Sequence, residues 1–145
     1  MSADATPGDT LARVIASGAD QPYWDALAEG RLVMQRCVGC GRWHWPAVWR
    51  CGACGSWDQC WSPVEPKGAI YTWTRTWHPF GGTEAIGVPF VSLVVEIDGT
   101  QGRRLTGILE GEAGGLAIGA PVIGRFAETG AAGRHVPALR WRIAA

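Results

Sequence analysis

The sequence contains a single lysine, Lys67, and only 18% of its residues are charged, 13 basic against 13 acidic. Binding a phosphate backbone relies on clustered Lys and Arg and on counterion release. A chain with so few basic groups is not expected to bind nucleic acid. The lone lysine sits between Pro66 and Gly68 with no glycine-rich phosphate cradle before it, which excludes a P-loop. No run of eighteen apolar residues occurs, so no membrane-spanning helix is expected. No apolar leader follows Met1, since Ser2 to Asp9 are small and polar. That argues against a secreted, disulfide-stapled chain and for a cytoplasmic one. Catalytic patterning is missing too. His44, His78 and His135 fall in separate blocks, without a serine elbow or acid pair at catalytic spacing. Glu110 and Glu112 flank a turn, where carboxylates face solvent. With no nucleophile, base and oxyanion set, the isolated chain is expected to turn nothing over, and no residue is assigned as catalytic.

The chain does contain two knuckles of identical spacing, Cys37-Val38-Gly39-Cys40-Gly41 and Cys51-Gly52-Ala53-Cys54-Gly55. Thiolates at i and i+3, each pair followed by a glycine that lets the backbone turn, form a tetrahedral four-sulfur cage. Cys37, Cys40, Cys51 and Cys54 are therefore the candidate ligands of a structural zinc, with no open coordination position for chemistry. Iron in the same four thiolates is the alternative. Four thiolates and a divalent ion would bring the formal charge from zero to about −2. The fifth cysteine, Cys60, is expected to be a small buried apolar side chain.

With 145 residues, 47% of them apolar, the chain is a globular protein with one good core or two small ones. Its 21 glycines, about twice the average share, favour turns and strands over long helices. Residues 1 to about 20 are small and polar, with only Leu11, Val14 and Ile15 hinting at an amphipathic turn. Pro22 then stands where a first helical residue is favoured, Tyr23, Trp24 and Leu27 make an apolar stripe, and Gly30 stops the helix. Leu32 to Arg36 reads as the strand feeding the first knuckle. Beyond Pro63 five strands follow. Gly68 to Trp77 alternates aromatics with threonine, and Phe90 to Ile97 is nearly continuous in apolar residues and so expected to be buried on both sides. Arg103 to Leu109 follows a tight turn at Asp98-Gly99, and Pro121 to Glu128 and Val136 to Ile143 complete the set. In the last strand Leu139, Trp141 and Ile143 share one face and Arg140 and Arg142 the other. Five short strands fit a small closed barrel of the oligonucleotide/oligosaccharide-binding (OB) type better than a sandwich, which usually needs about seven. The expected fold is mainly β: a helical arm over 1–31, a zinc ribbon over 32–62 and a barrel over 63–145.

Several motifs in fixed order carry a resemblance. They are Pro22-Tyr23-Trp24-Asp25-Ala26-Leu27 with Glu29-Gly30-Arg31-Leu32, then Gln35-Arg36-Cys37, Cys40-Gly41, an aromatic residue before Pro46, Cys51, Cys54-Gly55, and Gly68 before Tyr71-Thr72-Trp73. Over about residues 20 to 128 this order resembles the zinc-ribbon and OB-fold proteins grouped as domain-of-unknown-function family thirty-five. The resemblance implies a rubredoxin-like ribbon and a non-catalytic accessory subunit of a thiolase-fold enzyme or of a hot-dog hydratase, acting on acyl-coenzyme A thioesters of lipid, steroid or polyketide metabolism. In such assemblies the partner holds the catalytic residues, and the ribbon and barrel complete a coenzyme A channel or an interface. Among thiolase-fold partners, carbon–carbon cleavage by a retro-aldol or thiolytic route is the first expectation. This chain departs from the family's usual mix in its heavy insert, with Trp43, Trp45 and Trp49.

The residues give their own argument for a partner. Nine tryptophans exceed what two small cores hide, and Trp is enriched at interface centres. Some of Trp24, Trp43, Trp45, Trp49 and Trp57 are expected to be exposed, the others wrapping the ribbon as a miniature core. Trp77 and His78, before a glycine-rich loop at the barrel rim, are candidates for contact with a ligand or the partner. Trp77 is equally readable as core. Arg103, Arg104, Arg134, Arg140 and Arg142 are few enough to suit the phosphates of coenzyme A rather than a nucleic-acid stripe.

Overall fold

A computed structural model describes residues 18–129 and 136–144. The expectations for Leu11, Val14, Ile15, Arg134 and His135 lie outside the described residues. The helix α1 (Gln21–Ala28) starts where expected, with Pro22 in its first turn, where a missing N–H costs nothing. Tyr23, Ala26 and Leu27 form its buried face, and the Trp24 indole N–H donates to the Asp20 carboxylate at 2.9 Å. Gly30 ends the helix at φ +74°, its N–H donating to the Leu27 carbonyl at 3.1 Å.

The ribbon is a three-stranded sheet. Its central strand β1 (Val33–Cys37) pairs antiparallel with β2 (Trp43–His44) and β3 (Gln59–Pro63). Gln35, only 2% exposed, holds the facing chain with both ends of its amide: Nε2 donates to the Val48 carbonyl and Oε1 accepts from the Val48 N–H, each at 2.8 Å. A buried amide satisfied at both ends fixes the insert to the sheet without leaving a polar group orphaned.

The second half is the expected closed five-stranded barrel. Strands β4 (Lys67–Thr76), β5 (Phe90–Ile97), β6 (Arg104–Leu109), β7 (Pro121–Thr129) and β8 (Val136–Ile143) join in the order β4-β5-β6-β8-β7, with β7 closing back on β4. All pairs are antiparallel except β6 with β8, whose short parallel ladder pairs Ile108↔Arg140 and Leu109↔Trp141. Closure removes the sheet edges that a short open sheet would expose.

Three expectations need correction. The continuous alternation from Gly68 to Trp77 is broken by a bulge between Ile70 and Thr72, and β4 ends at Thr76. The bulge keeps Ile70 in the core while turning Tyr71 outward. Strand β5 is not buried on both sides: Val91, Leu93, Val95 and Ile97 point inward, whereas Phe90, Ser92, Val94 and Glu96 are half-exposed. Ser92 and Glu96 make that outer face half polar, and it is only half covered among the described residues, so the run of apolar residues misstates burial. The turn after β5 is longer than a two-residue hairpin, with Gly99, Gln101 and Gly102 at positive φ and Thr100 wholly buried, its hydroxyl donating to the Ile97 carbonyl at 2.8 Å.

Trp141 and Leu93, both 0% exposed, centre the barrel core together with Ile70, Val95 and Val122. The same apolar cluster continues into the ribbon and helix through Trp43, Met34, Leu27 and Tyr23. Trp43 N–H to Gln101 Oε1 at 3.1 Å adds a polar tie across the junction. No helix among the described residues is long and apolar enough to cross a membrane.

Candidate metal centre and barrel rim

The two knuckles are parts of a longer repeat: Arg36-Cys37-Val38-Gly39-Cys40-Gly41-Arg42-Trp43 and Arg50-Cys51-Gly52-Ala53-Cys54-Gly55-Ser56-Trp57 share Arg, both cysteines, the second glycine and Trp. Each copy folds alike. Gly41 N–H donates to Cys37 O and Gly55 N–H to Cys51 O, and Cys37 N–H reaches Arg42 O as Cys51 N–H reaches Ser56 O, all at 2.9 Å. Gly41 and Gly55 take φ +75° and +78°, which L side chains avoid. Arg36 Nε then donates to the Gly41 carbonyl and Arg50 Nε to the Gly55 carbonyl, each at 2.9 Å. The guanidinium groups lie over Trp43 at 5.3 Å and Trp57 at 5.7 Å. Reading the knuckles as cysteine and glycine alone misses these arginines. The signal that finds them is the eight-residue repeat itself.

The cage is formed by both copies. All four sulfurs lie within 4.8 Å of one another, with Cys37 to Cys54 at 3.6 Å and Cys40 to Cys51 at 3.7 Å. A tetrahedral zinc with Zn–S bonds of about 2.3 Å sets sulfurs about 3.8 Å apart, so these separations and this donor set fit the ion. Cys37 and Cys51 are buried, Cys40 and Cys54 exposed. The backbone amide of Cys40, with those of its neighbours, favours the Cys37 thiolate and brings its pKa down to about 6. The Cys54 amide likewise lowers Cys51. At Cys54 the Ser56 amide favours the thiolate, but the Cys37 sulfur, burial and the remaining sulfurs outweigh it and push the thiol up to about 11. Four crowded sulfurs cannot all ionise on their own, and a divalent cation removes that conflict.

The other candidates are scattered. Trp43 is buried at the ribbon–barrel junction, Trp24 and Trp45 are half-buried beside Tyr23, and Trp49 and Trp57 are 68% and 69% exposed. Trp24 and Trp45 flank a cleft of about 320 Å³ that opens where β6 and β8 diverge, against Gly107 and Pro137. Trp77, 68% exposed, and His78 lie just past β4 rather than in it, and the His78 ring packs edge-on against Phe80 at 4.6 Å. Arg75, beside them, lies over both Trp73 and Trp77 at 5.8 and 6.0 Å and lines a rim groove of about 290 Å³. Exposure removes Trp77 from the core. Cys60 is half-exposed rather than buried, its thiol directed at the Arg36 carbonyl at 3.3 Å. His44 is held below its usual pKa by desolvation, then by Arg103 and Arg42, and Glu110 is engaged by Arg125.

Residues 24–58 match the family described as the ChsH2 rubredoxin-like zinc ribbon domain. The order of helix, ribbon and barrel extends the match beyond the ribbon: a chain of the solved Ltp2–ChsH2(DUF35) aldolase is 29% identical and superposes with a TM-score of 0.75 over 87% of this chain and 94% of that one. The chain is thus similar to DUF35 zinc-ribbon and OB-fold proteins in its ribbon and in its fold. A DUF35 protein of unknown function from Sulfolobus solfataricus has the same fold, at 14% identity and a TM-score of 0.58 over 87% of this chain and 85% of that one. A protein of Thermomonospora curvata named as a probable enoyl-CoA hydratase alpha subunit is 36% identical over 112 residues, 74% of this chain and 33% of that protein. The chain thus spans about a third of the length of that relative.

Proposed function

We propose that this chain is a non-catalytic subunit of an enzyme complex acting on acyl-coenzyme A thioesters, seated on a thiolase-fold partner that performs carbon–carbon cleavage of the retro-aldol type. In this reading Cys37, Cys40, Cys51 and Cys54 hold one structural zinc. The barrel rim with Arg75, Trp77 and His78 borders the channel by which the thioester reaches the partner's active site. The observation that carries the proposal is the likeness to the ChsH2 chain of an aldolase over 94% of that chain's length. Exposed Trp49, Trp57, Trp77 and Phe80 support it, since such surface is characteristic of association. So does the lack, among the described residues, of a histidine hydrogen-bonded to a nucleophile or an acid.

A hot-dog enoyl-CoA hydratase is the second reading for the partner, favoured by the relative from Thermomonospora curvata. Nucleic acid is the weakest reading. Two of the ribbon's three arginines, Arg36 and Arg50, already hold the ribbon's own carbonyls.

Co-expression of the full chain with a thiolase-fold enzyme and, separately, with a hot-dog hydratase of the same genome tests the proposal. The expected result is a stable complex with the thiolase-fold protein that cleaves a β-hydroxyacyl-CoA, while the chain alone does not. A complex formed only with the hydratase, active in hydrating an enoyl-CoA, would replace this reading by the second.

A further inference from the structure

The two copies of the octad are alike within and unlike without. The first docks on the barrel: Trp43 is 9% exposed, and its backbone N–H donates to the Gln101 side-chain carbonyl in the turn that leads to Arg103. The second has no such seat among the described residues. Trp57 is 69% exposed and its backbone N–H has no partner among the described residues, although Arg50 holds it just as Arg36 holds Trp43. A groove of about 330 Å³ continues this face past Trp49, Trp61 and Pro22. Charge differs between the copies as well. Where the first has Arg42 and His44, the second has Ser56 and Asp58, and Asp58 forms no ion pair among the described residues.

Resting on the reading of this chain as a subunit, we propose that the Trp57 face of the second octad is the seat of the partner enzyme, which presents there a turn like the barrel's own. That turn carries a side-chain amide, from Gln or Asn, whose carbonyl accepts the Trp57 N–H. It also carries a basic residue, which meets Asp58. The first octad shows what such a turn does to this surface: it buries the indole and satisfies the amide above it. At the barrel, desolvation and then the charges of Arg103 and Arg42 hold the His44 imidazole below its usual pKa, so the turn's Arg103 meets a surface of its own sign. The same kind of turn over Asp58 would face an opposite charge, so the second seat is the electrostatically better matched of the two.

The test compares Trp57→Ser and Asp58→Lys with the wild-type chain in binding to the thiolase-fold enzyme, at low and high salt. Both side chains are exposed, so zinc content and melting midpoint are expected to stay unchanged. Trp57→Ser is expected to weaken the complex about tenfold or more, as truncation of an interface tryptophan does. Asp58→Lys is expected to weaken it mainly at low salt, where screening is least. Affinities within about twofold of wild type for both variants overturn the proposal while leaving the subunit reading intact. Loss with Trp57→Ser but not with Asp58→Lys removes the basic residue from the partner's turn and overturns the proposal as stated. A wild-type chain that binds neither enzyme class overturns the subunit reading, and this proposal with it.

Discussion

Gly68 in β4 faces the backbone of Glu96 in β5 so closely that a Cβ built on the glycine would lie 2.0 Å from the Glu96 carbonyl oxygen and 2.9 Å from its carbon. Backbone cannot swing aside as a side-chain tip can. Gly68→Ala should therefore force the β4–β5 ladder apart just before the bulge and cost about 1–3 kcal/mol, as overpacking does. Chemical denaturation of the variant checks this, and an unchanged midpoint would contradict it.

The two most informative tryptophans are Trp141 and Trp77. Trp141 is 0% exposed at the centre of the barrel, and its truncation to alanine is expected to cost about 3–5 kcal/mol. Trp77, 68% exposed at the rim, should change stability by less than about 1 kcal/mol, its effect appearing in the activity of the complex instead. Thermal melts of the two variants side by side decide the matter, and a large drop for Trp77→Ala would return that residue to the core.

Metal should hold the ribbon. Cys37→Ser removes a buried ligand and Cys54→Ser an exposed one, yet both break the same four-sulfur set and should lose zinc alike. The expected outcome is one zinc per chain by elemental analysis of the wild type, and a lowered melting midpoint on treatment with a strong chelator. Finding neither zinc nor iron in a well-folded preparation would sink the assignment.

Arg125 holds the Glu110 carboxyl below its ordinary pKa of 4.5, chiefly through a hydrogen bond. A carboxylate depressed in the folded state contributes stability that is present above its unfolded pKa and is lost as pH falls through the folded value. Glu110→Gln should thus lower the melting midpoint slightly at neutral pH, the difference closing below pH 4.5 as the wild-type carboxylate is protonated. Because Arg125 is largely exposed, added salt should shrink the effect.

Cysteine spacing, the Pro22-to-Gly30 helix and the five strand segments were all legible in the sequence, because each rests on a local rule: a ligand at i and i+3, a residue that starts or stops a helix, a short apolar run between turns. Those rules mark out the four sulfurs and the five strand segments before any tertiary contact is known. Where elements meet, local rules say nothing. The bulge at Ile70 to Thr72, the half-open face of β5, and the burial of Trp43 but not of Trp57 depend on which surface another segment covers. The repeat Arg-Cys-x-x-Cys-Gly-x-Trp occurs twice in the sequence with the same residues, so the sequence determined that two like surfaces exist. Only the tertiary structure decided that one is spent on the barrel while the other stays exposed among the described residues, because burial is a property of the neighbour and not of the residue.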